Sequence, residues 1–312
     1  MFFERECDRL IERIKKGELR GGTQITLASL EAIKTTVLGT EAEEVRQLLK
    51  NLRSCSSAIL AAQPTNVALS NAVQFVQRQV GAAADRGIGL DKLRDTVARE
   101  LDRYSESLRK SVDEIGKIGA TLIEDKDVIM THDASTSVIS ILGTAQAEGK
   151  EIKAIVLETR PEFHGRLSAM AIADIGVPVT LIIDAACRHC VKIATKVLLG
   201  GAAIFPSGDA LGKMGSSVVA LAAREAGVPV YVAASTHKFC PEPAFANDMS
   251  RVGGVPSLVF SSEHATNLGI DVANPFFETI PCKDITSIVT ERGILSPSKV
   301  ASAIKDIYAG GV

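Results

Sequence analysis

Five short apolar runs recur through the second half of the chain, each followed by a stretch long enough for a helix. They are residues 127–131 (DVIMT), 153–158 (KAIVLE), 179–184 (VTLIID), 197–199 (VLL) and 230–234 (VYVAA). The segments between them run to about ten to fifteen residues, the spacing of strand–helix–strand units. The runs are continuously apolar rather than alternating, which implies a parallel sheet covered by helices on both faces. Such a sheet binds ligands in the crevice outside the carboxyl ends of its strands. Polar residues fall at those ends. Thr131, His132, Asp133 and Ser135 follow the first run, and Thr159, Arg160 and His164 the second. Asp184 ends the third, Asp209 and Lys213 follow the fourth, and His237 and Lys238 follow the fifth.

The preceding residues have a helical period. Phe3, Cys7, Leu10, Ile11 and Ile14 share one face of residues 2–16. A Gly-rich break at 17–23 (GELRGGT) precedes helical runs at 26–36 and 42–52. The loop AAQPT leads to a run at 66–80, and Gly87 and Gly89 break the chain before one long amphipathic helix at 90–123. The expected organisation is a helical N-terminal domain over 1–120. A Rossmann-like α/β domain follows over 121–312, an open parallel sheet with helices on both faces.

Composition narrows the function classes. A net charge of −2 offers no basic surface to nucleic acid. The absence of Trp and the scarcity of aromatics argue against stacking platforms for single strands. No apolar run reaches membrane length, and the N-terminus is charged from Glu4 onward, unlike a signal peptide. A cytoplasmic protein that binds neither nucleic acid nor membrane is expected. Of six cysteines only Cys187 and Cys190 form a C-x-x-C, with no second pair or His pair at ligand spacing, so no metal and no cofactor are expected. The two read as small helix residues in a reducing compartment, a redox pair being the alternative. The five histidines share no metal spacing and read as hydrogen-bonded or surface residues.

Residues 196–215 (KVLLGGAAIFPSGDALGKMG) run from a strand through a Gly-rich loop into a helix beginning near Ser216. That arrangement offers backbone N–H groups and a positive helix end to an anion, with Lys213 adding charge. A tight turn is the alternative, in which Asp209 caps the helix. Arg20 reads either as a phosphate ligand or as a solvated charge at a helix end, and Arg160 either as a pocket residue or as half of a surface ion pair.

In order along the chain stand RGG at 20–22, THDAS at 131–135, ETRPEFHG at 158–165, IDAA at 183–186, SGDALGKMGS at 207–216, STHKF at 235–239 and TERGILSPSKVA at 290–301. With these the chain resembles the alpha, beta and delta regulatory subunits of translation initiation factor 2B, and the alpha subunit and its archaeal relatives most of all. That fold is shared with methylthioribose-1-phosphate isomerase and ribose-1,5-bisphosphate isomerase. The resemblance implies dimerisation through the α/β domain. The partners it implies are a second copy of the chain, translation initiation factor 2 or other factor 2B-like subunits, and a phosphorylated small molecule. It implies a pocket in which Arg20 and the amides of Gly21 and Gly22 hold phosphate. Asp133, Ser135 and Arg160 face the ligand, Asp209 accepts from sugar hydroxyls, and Lys213 neutralises phosphate. Where the isomerases carry a Cys after Thr-His this chain has Asp133. Where they carry an Asp at the end of the fourth strand it has Ala202, and Gln63 replaces an Arg. The reading that follows is a non-catalytic, factor 2B alpha-like regulatory protein with a sugar-phosphate or nucleoside-monophosphate pocket. It has no catalytic residue and does not isomerise either sugar phosphate. The alternative is an aldose–ketose isomerase with a rewired site, for which Asp133 is the catalytic candidate.

Overall fold

The computed structural model describes residues 4–15, 18–19, 21–241 and 253–309. The chain forms two compact units, divided after Lys110 inside a long helix.

The first unit is helical: α1 (Glu4–Lys15), α2 (Gly22–Leu38), α3 (Val45–Ala62), α4 (Val67–Asp85) and the beginning of α5 (Leu90–Ala120). Their apolar positions recur at helical spacing, and Leu30, Ile33, Leu48, Leu52, Ile59, Leu69, Leu93 and Leu101 meet in one core. Asn66 starts α4 by accepting the Leu69 N–H at 3.1 Å. The Arg94 guanidinium closes the end of α2 by donating to the carbonyls of Leu38, Thr40 and Ala42, each at 3.0 Å. Cys7 and Cys55 form a disulfide between α1 and α3, a pairing with no signal in the cysteine spacing.

The second unit is built on a sheet in the order β10-β9-β7-β4-β1-β2-β3. The five anticipated strands are β1 (Val128–His132), β2 (Lys153–Leu157), β3 (Val179–Ile182), β4 (Lys196–Gly200) and β7 (Val230–Ala233), all parallel. β9 (Ser287–Thr290) extends the parallel sheet, and β10 (Gly293–Leu295) closes it antiparallel. Helices α6 (Thr136–Ala147), α7 (His164–Asp174) and α9 (Ser216–Glu225) pack on the strands, and Cys187–Cys190 forms a single turn, α8. After α9 and β7 come α10 (Ser262–Leu268), β8 (Phe277–Ile280), β9, β10 and α11 (Val300–Ala309). Ile129, Ile141, Leu142, Val156, Ile172, Leu198 and Val289 make the core. Coverage is incomplete at one edge, where Leu181 of β3 and Ile183 just after it are exposed. The Asp127 carboxylate ties β1 to β4 through Lys196 at 2.6 Å and Thr195 at 2.6 Å. Burial acts to raise its pKa, but those hydrogen bonds win and hold it below the ordinary range.

The Gly-rich segment after β4 folds differently from the expectation. It is a hairpin of β5 (Ala203–Ile204) and β6 (Ala210–Lys213), and with β8 (Phe277–Ile280) it makes a second, antiparallel sheet. Gly208, at φ 84°, turns the hairpin where Cβ would meet the Pro297 carbonyl oxygen at 2.5 Å.

Candidate functional site

From β1 the chain steps to β2 and β3 on one side, then returns to β4 on the other side of β1. The sheet therefore switches direction between β1 and β4, and the crevice outside their carboxyl ends is the expected ligand position.

Three consecutive loops are pinned there. Asp184, after β3, accepts the N–H groups of Thr159 at 2.8 Å and Arg160 at 2.7 Å. Thr159, after β2, uses its hydroxyl to accept the Asp133 N–H at 2.9 Å. Asp133, after β1, has its carbonyl held by the Ser168 hydroxyl at 2.8 Å and its carboxylate by His164 Nδ1 at 3.0 Å. Asp133, Thr159 and Phe163 all have positive φ, at 65°, 59° and 57°. For the β-branched Thr159 this is a costly conformation, held by hydrogen bonds on both of its sides.

Two amines enter the same site. Lys213, on β6, is 4% exposed; its Nζ lies 3.2 Å from Glu162 Oε2 and 3.1 Å from the centre of the Phe276 ring. Lys238 donates from Nζ to the Gly201 carbonyl at 3.0 Å, one residue before Ala202. Glu291 fixes the turn that carries it by accepting both the N–H and the hydroxyl of Thr236. Burial lowers the pKa of Lys213 against the pull of Asp133 and Glu162. Burial pushes Lys238 down to about 8, opposed only by Asp133. Asp133 itself is held below the ordinary range, because the His164 hydrogen bond and the charge of Lys213 outweigh its burial. His132 is buried with Nδ1 3.0 Å from the Ser216 hydroxyl, and burial pushes its pKa down.

Several expected ligand residues are occupied elsewhere. Asp209 accepts the Cys282 N–H at 2.7 Å and the Ser207 hydroxyl at 2.8 Å, so it locks a hairpin turn rather than meeting a sugar or capping a helix. Ser135 caps α6 through the Val138 N–H, and its Cβ packs where a Cβ on Gly200 would lie 2.6 Å away. Arg160 is exposed with its guanidinium over the Phe163 ring at 5.2 Å. The amino end of α9 is not open to an anion: Glu278 accepts the N–H groups of Gly215 at 2.6 Å and Ser217 at 2.8 Å. Gly21 and Gly22 belong to the helical unit. Gly21 has φ 84° ahead of α2, and the Gly22 carbonyl accepts from Thr26 and Asn66. Arg20 lies outside the described residues. The Cys187 thiol is buried and pushed up to about 11, which disfavours its thiolate. What remains at the strand ends is Asp133, His164, Lys213 and Lys238.

The Initiation factor 2 subunit family matches residues 18–297. The chain belongs to that family. It is 35% identical to a ribose 1,5-bisphosphate isomerase of Pyrococcus furiosus, over 97% of this chain and 94% of that one. It is 34% identical to a methylthioribose-1-phosphate isomerase of Maridesulfovibrio salexigens, over 84% and 78%. Among solved structures, the translation initiation factor eIF-2B subunit delta of A. fulgidus superposes with a TM-score of 0.76 at 26% identity, over 96% and 92%. The non-catalytic regulatory reading is overturned. Relatives at 31–35% identity across most of the chain are named as sugar-phosphate isomerases, which favours the alternative. That reading rested on Asp133 and Ala202 standing together where the isomerases carry a Cys and an Asp. In the fold, Asp133 meets His164, and the Lys238 amine meets the Gly201 carbonyl beside Ala202.

Proposed function

We propose that this member of the family is an aldose–ketose isomerase acting on a pentose 1-phosphate of the ribose 1,5-bisphosphate or methylthioribose 1-phosphate type, with rearranged acid–base groups. The observation that supports it most is the pair of desolvated amines, Lys213 and Lys238, gathered with the Asp133 carboxylate at the topological switch point. An aldose–ketose isomerisation moves one hydrogen from C2 to C1 and exchanges protons on oxygen. It therefore needs a base for carbon and a donor for oxygen, both titrating near the working pH. Lys213, buried with its Nζ 3.2 Å from Glu162 Oε2, supplies charge for a phosphate. The test is incubation of the purified protein with each of the two sugar phosphates, followed by phosphorus and proton NMR. Conversion to the ketose at about 1 s⁻¹ or faster is expected. Conversion of neither compound by folded protein would sink the reading.

The chain also associates with a second copy through the α/β unit. The support is the apolar side chains left in water there: Met170 on α7, Leu181 on the edge strand β3, Ile183 and Ile193 around α8, and Val218 on α9. An exposed apolar edge strand is a pairing liability that a partner removes. Light scattering should give twice the 33.0 kDa chain mass, and Ile183→Glu combined with Ile193→Glu should return it to the monomer. A wild-type monomer at micromolar concentration would refute this.

A further inference from the structure

The isomerase reading leaves open which group takes the proton from carbon, and Asp133 occupies the obvious position. Its carboxylate is a poor choice. The His164 hydrogen bond and the Lys213 charge hold its pKa below the ordinary carboxylate range, so it holds a proton weakly. His164 is better suited. It is the first residue of α7, and its Nδ1 is 3.0 Å from Asp133 Oδ1. The ring is largely buried, with the side chain 18% exposed. Asp133 is in turn fixed by Thr159 on its N–H and Ser168 on its carbonyl, so the carboxylate that meets the ring is rigid. A carboxylate on Nδ1 fixes the tautomer that carries its proton there, and this leaves the Nε2 lone pair as the basic site.

Resting on the isomerase reading, we infer that His164 carries the C2-to-C1 proton through Nε2, and that Asp133 is the positioning residue that holds its tautomer. The proton and electron balance closes with Lys238. For ribose 1,5-bisphosphate, the C1–O4 bond breaks with its electron pair to O4, which takes a proton from the Lys238 ammonium. Nε2 removes the C2 proton, and that C–H pair becomes the C1–C2 double bond of an enol. Nε2 then returns the proton to C1. The O2–H proton passes to the Lys238 amine as the C2 carbonyl forms. Both side chains end as they began, both phosphates stay attached, and no external oxidant or reductant is required.

The experiment combines two readouts on the full chain. Nitrogen-15 NMR at alkaline pH should show His164 protonated at Nδ1 in the wild type and shifted to the Nε2-protonated form in Asp133→Ala. An Nε2-protonated wild-type ring would overturn the inference. Steady-state kinetics on ribose 1,5-bisphosphate then use His164→Gln, which keeps an N–H donor for Asp133 but exchanges no proton. A kcat lower by about 10²–10⁴ with KM within a few-fold supports the role. Turnover within about threefold of wild type would overturn it while leaving the isomerase reading intact, since a merely structural contact is preserved by Gln. A wild-type chain that converts neither sugar phosphate overturns the isomerase reading and the catalytic role with it.

Discussion

Replacing Lys238 by Met is expected to lower kcat on the sugar phosphate by about 10²–10⁴ while raising thermal stability. The two effects share a cause. Burial pushes the Lys238 amine from 10.5 down to about 8, so at neutral pH the fold holds a cation that it disfavours. The sign follows from linkage: the folded state binds this proton less tightly than the unfolded chain. Stability therefore rises with pH between about 8 and 10.5, and the full penalty applies below about 8. Removing the amine lifts a penalty of up to about 3 kcal/mol, at 1.36 kcal/mol per unit, less the hydrogen bond lost at the Gly201 carbonyl. A variant that melts higher yet turns over slower is hard to explain by misfolding, and it is the pattern of a residue kept for chemistry. Lys238→Arg separates charge from proton transfer. Arg keeps the cation and a donor for Gly201 but releases no proton near neutrality. In the wild type the rate should fall as pH rises through about 8, as the ammonium donor is lost. In Lys238→Arg the rate should be low throughout, with that limb gone. An Arg variant within about threefold of wild type would make Lys238 a charge partner only.

β1, β2, β4 and β7 were legible because they are largely buried on both faces, and residues such as Ile129, Ala154, Val156 and Leu198 leave no polar alternation to blur them; β3, with Leu181 exposed, was legible from its apolar run alone. β9 and β10 were not legible. Ser287–Thr290 is polar at both ends, and β10 is a three-residue antiparallel edge. The hairpin of β5 and β6 was read as an anion loop because Pro206, Gly208 and Gly212 suit either structure. What decides is β8, more than sixty residues away, which pairs Ala210 with Ile280. The candidate site divides the same way. Strand ends can be read from hydrophobic runs, so Asp133, His164, Lys213 and Lys238 were all placed near a crevice. Which of them touch depends on strand order. His164 reaches Asp133, 31 residues earlier, because β1 and β2 are neighbours in register at Thr131 and Val156. Asp209 is consumed by Cys282, 73 residues later, a contact with no local signature. Substitutions at motif positions therefore read as losses until the fold shows what stands beside them.

The largest stability effect is expected at Gly165, the second residue of α7 and the neighbour of His164. A Cβ there would lie 1.7 Å from the Leu157 carbonyl oxygen, 2.8 Å from its carbon and 2.9 Å from the Glu158 carbonyl carbon. All three are backbone atoms of β2 or the residue after it, so no side chain can rotate away, and α7 must lift off the end of the strand. Gly165→Ala should cost about 1–3 kcal/mol or more, as overpacking against a fixed wall does. The damage should not stop at stability. Lifting the start of α7 carries His164 away from Asp133 and Glu162 away from Lys213, and a displacement near 1 Å at a reacting group costs about 10² in rate. Gly81 is the control. It lies inside α4 with nothing within 4 Å of its Cβ position, so Gly81→Ala should add roughly 0.5–1 kcal/mol through helix propensity. Thermal melts of the two alanine variants should therefore move in opposite directions from the wild type. A Gly165→Ala protein that melts with the wild type and keeps its turnover would mean that α7 does not press on the end of β2, and would remove the packing that seats His164.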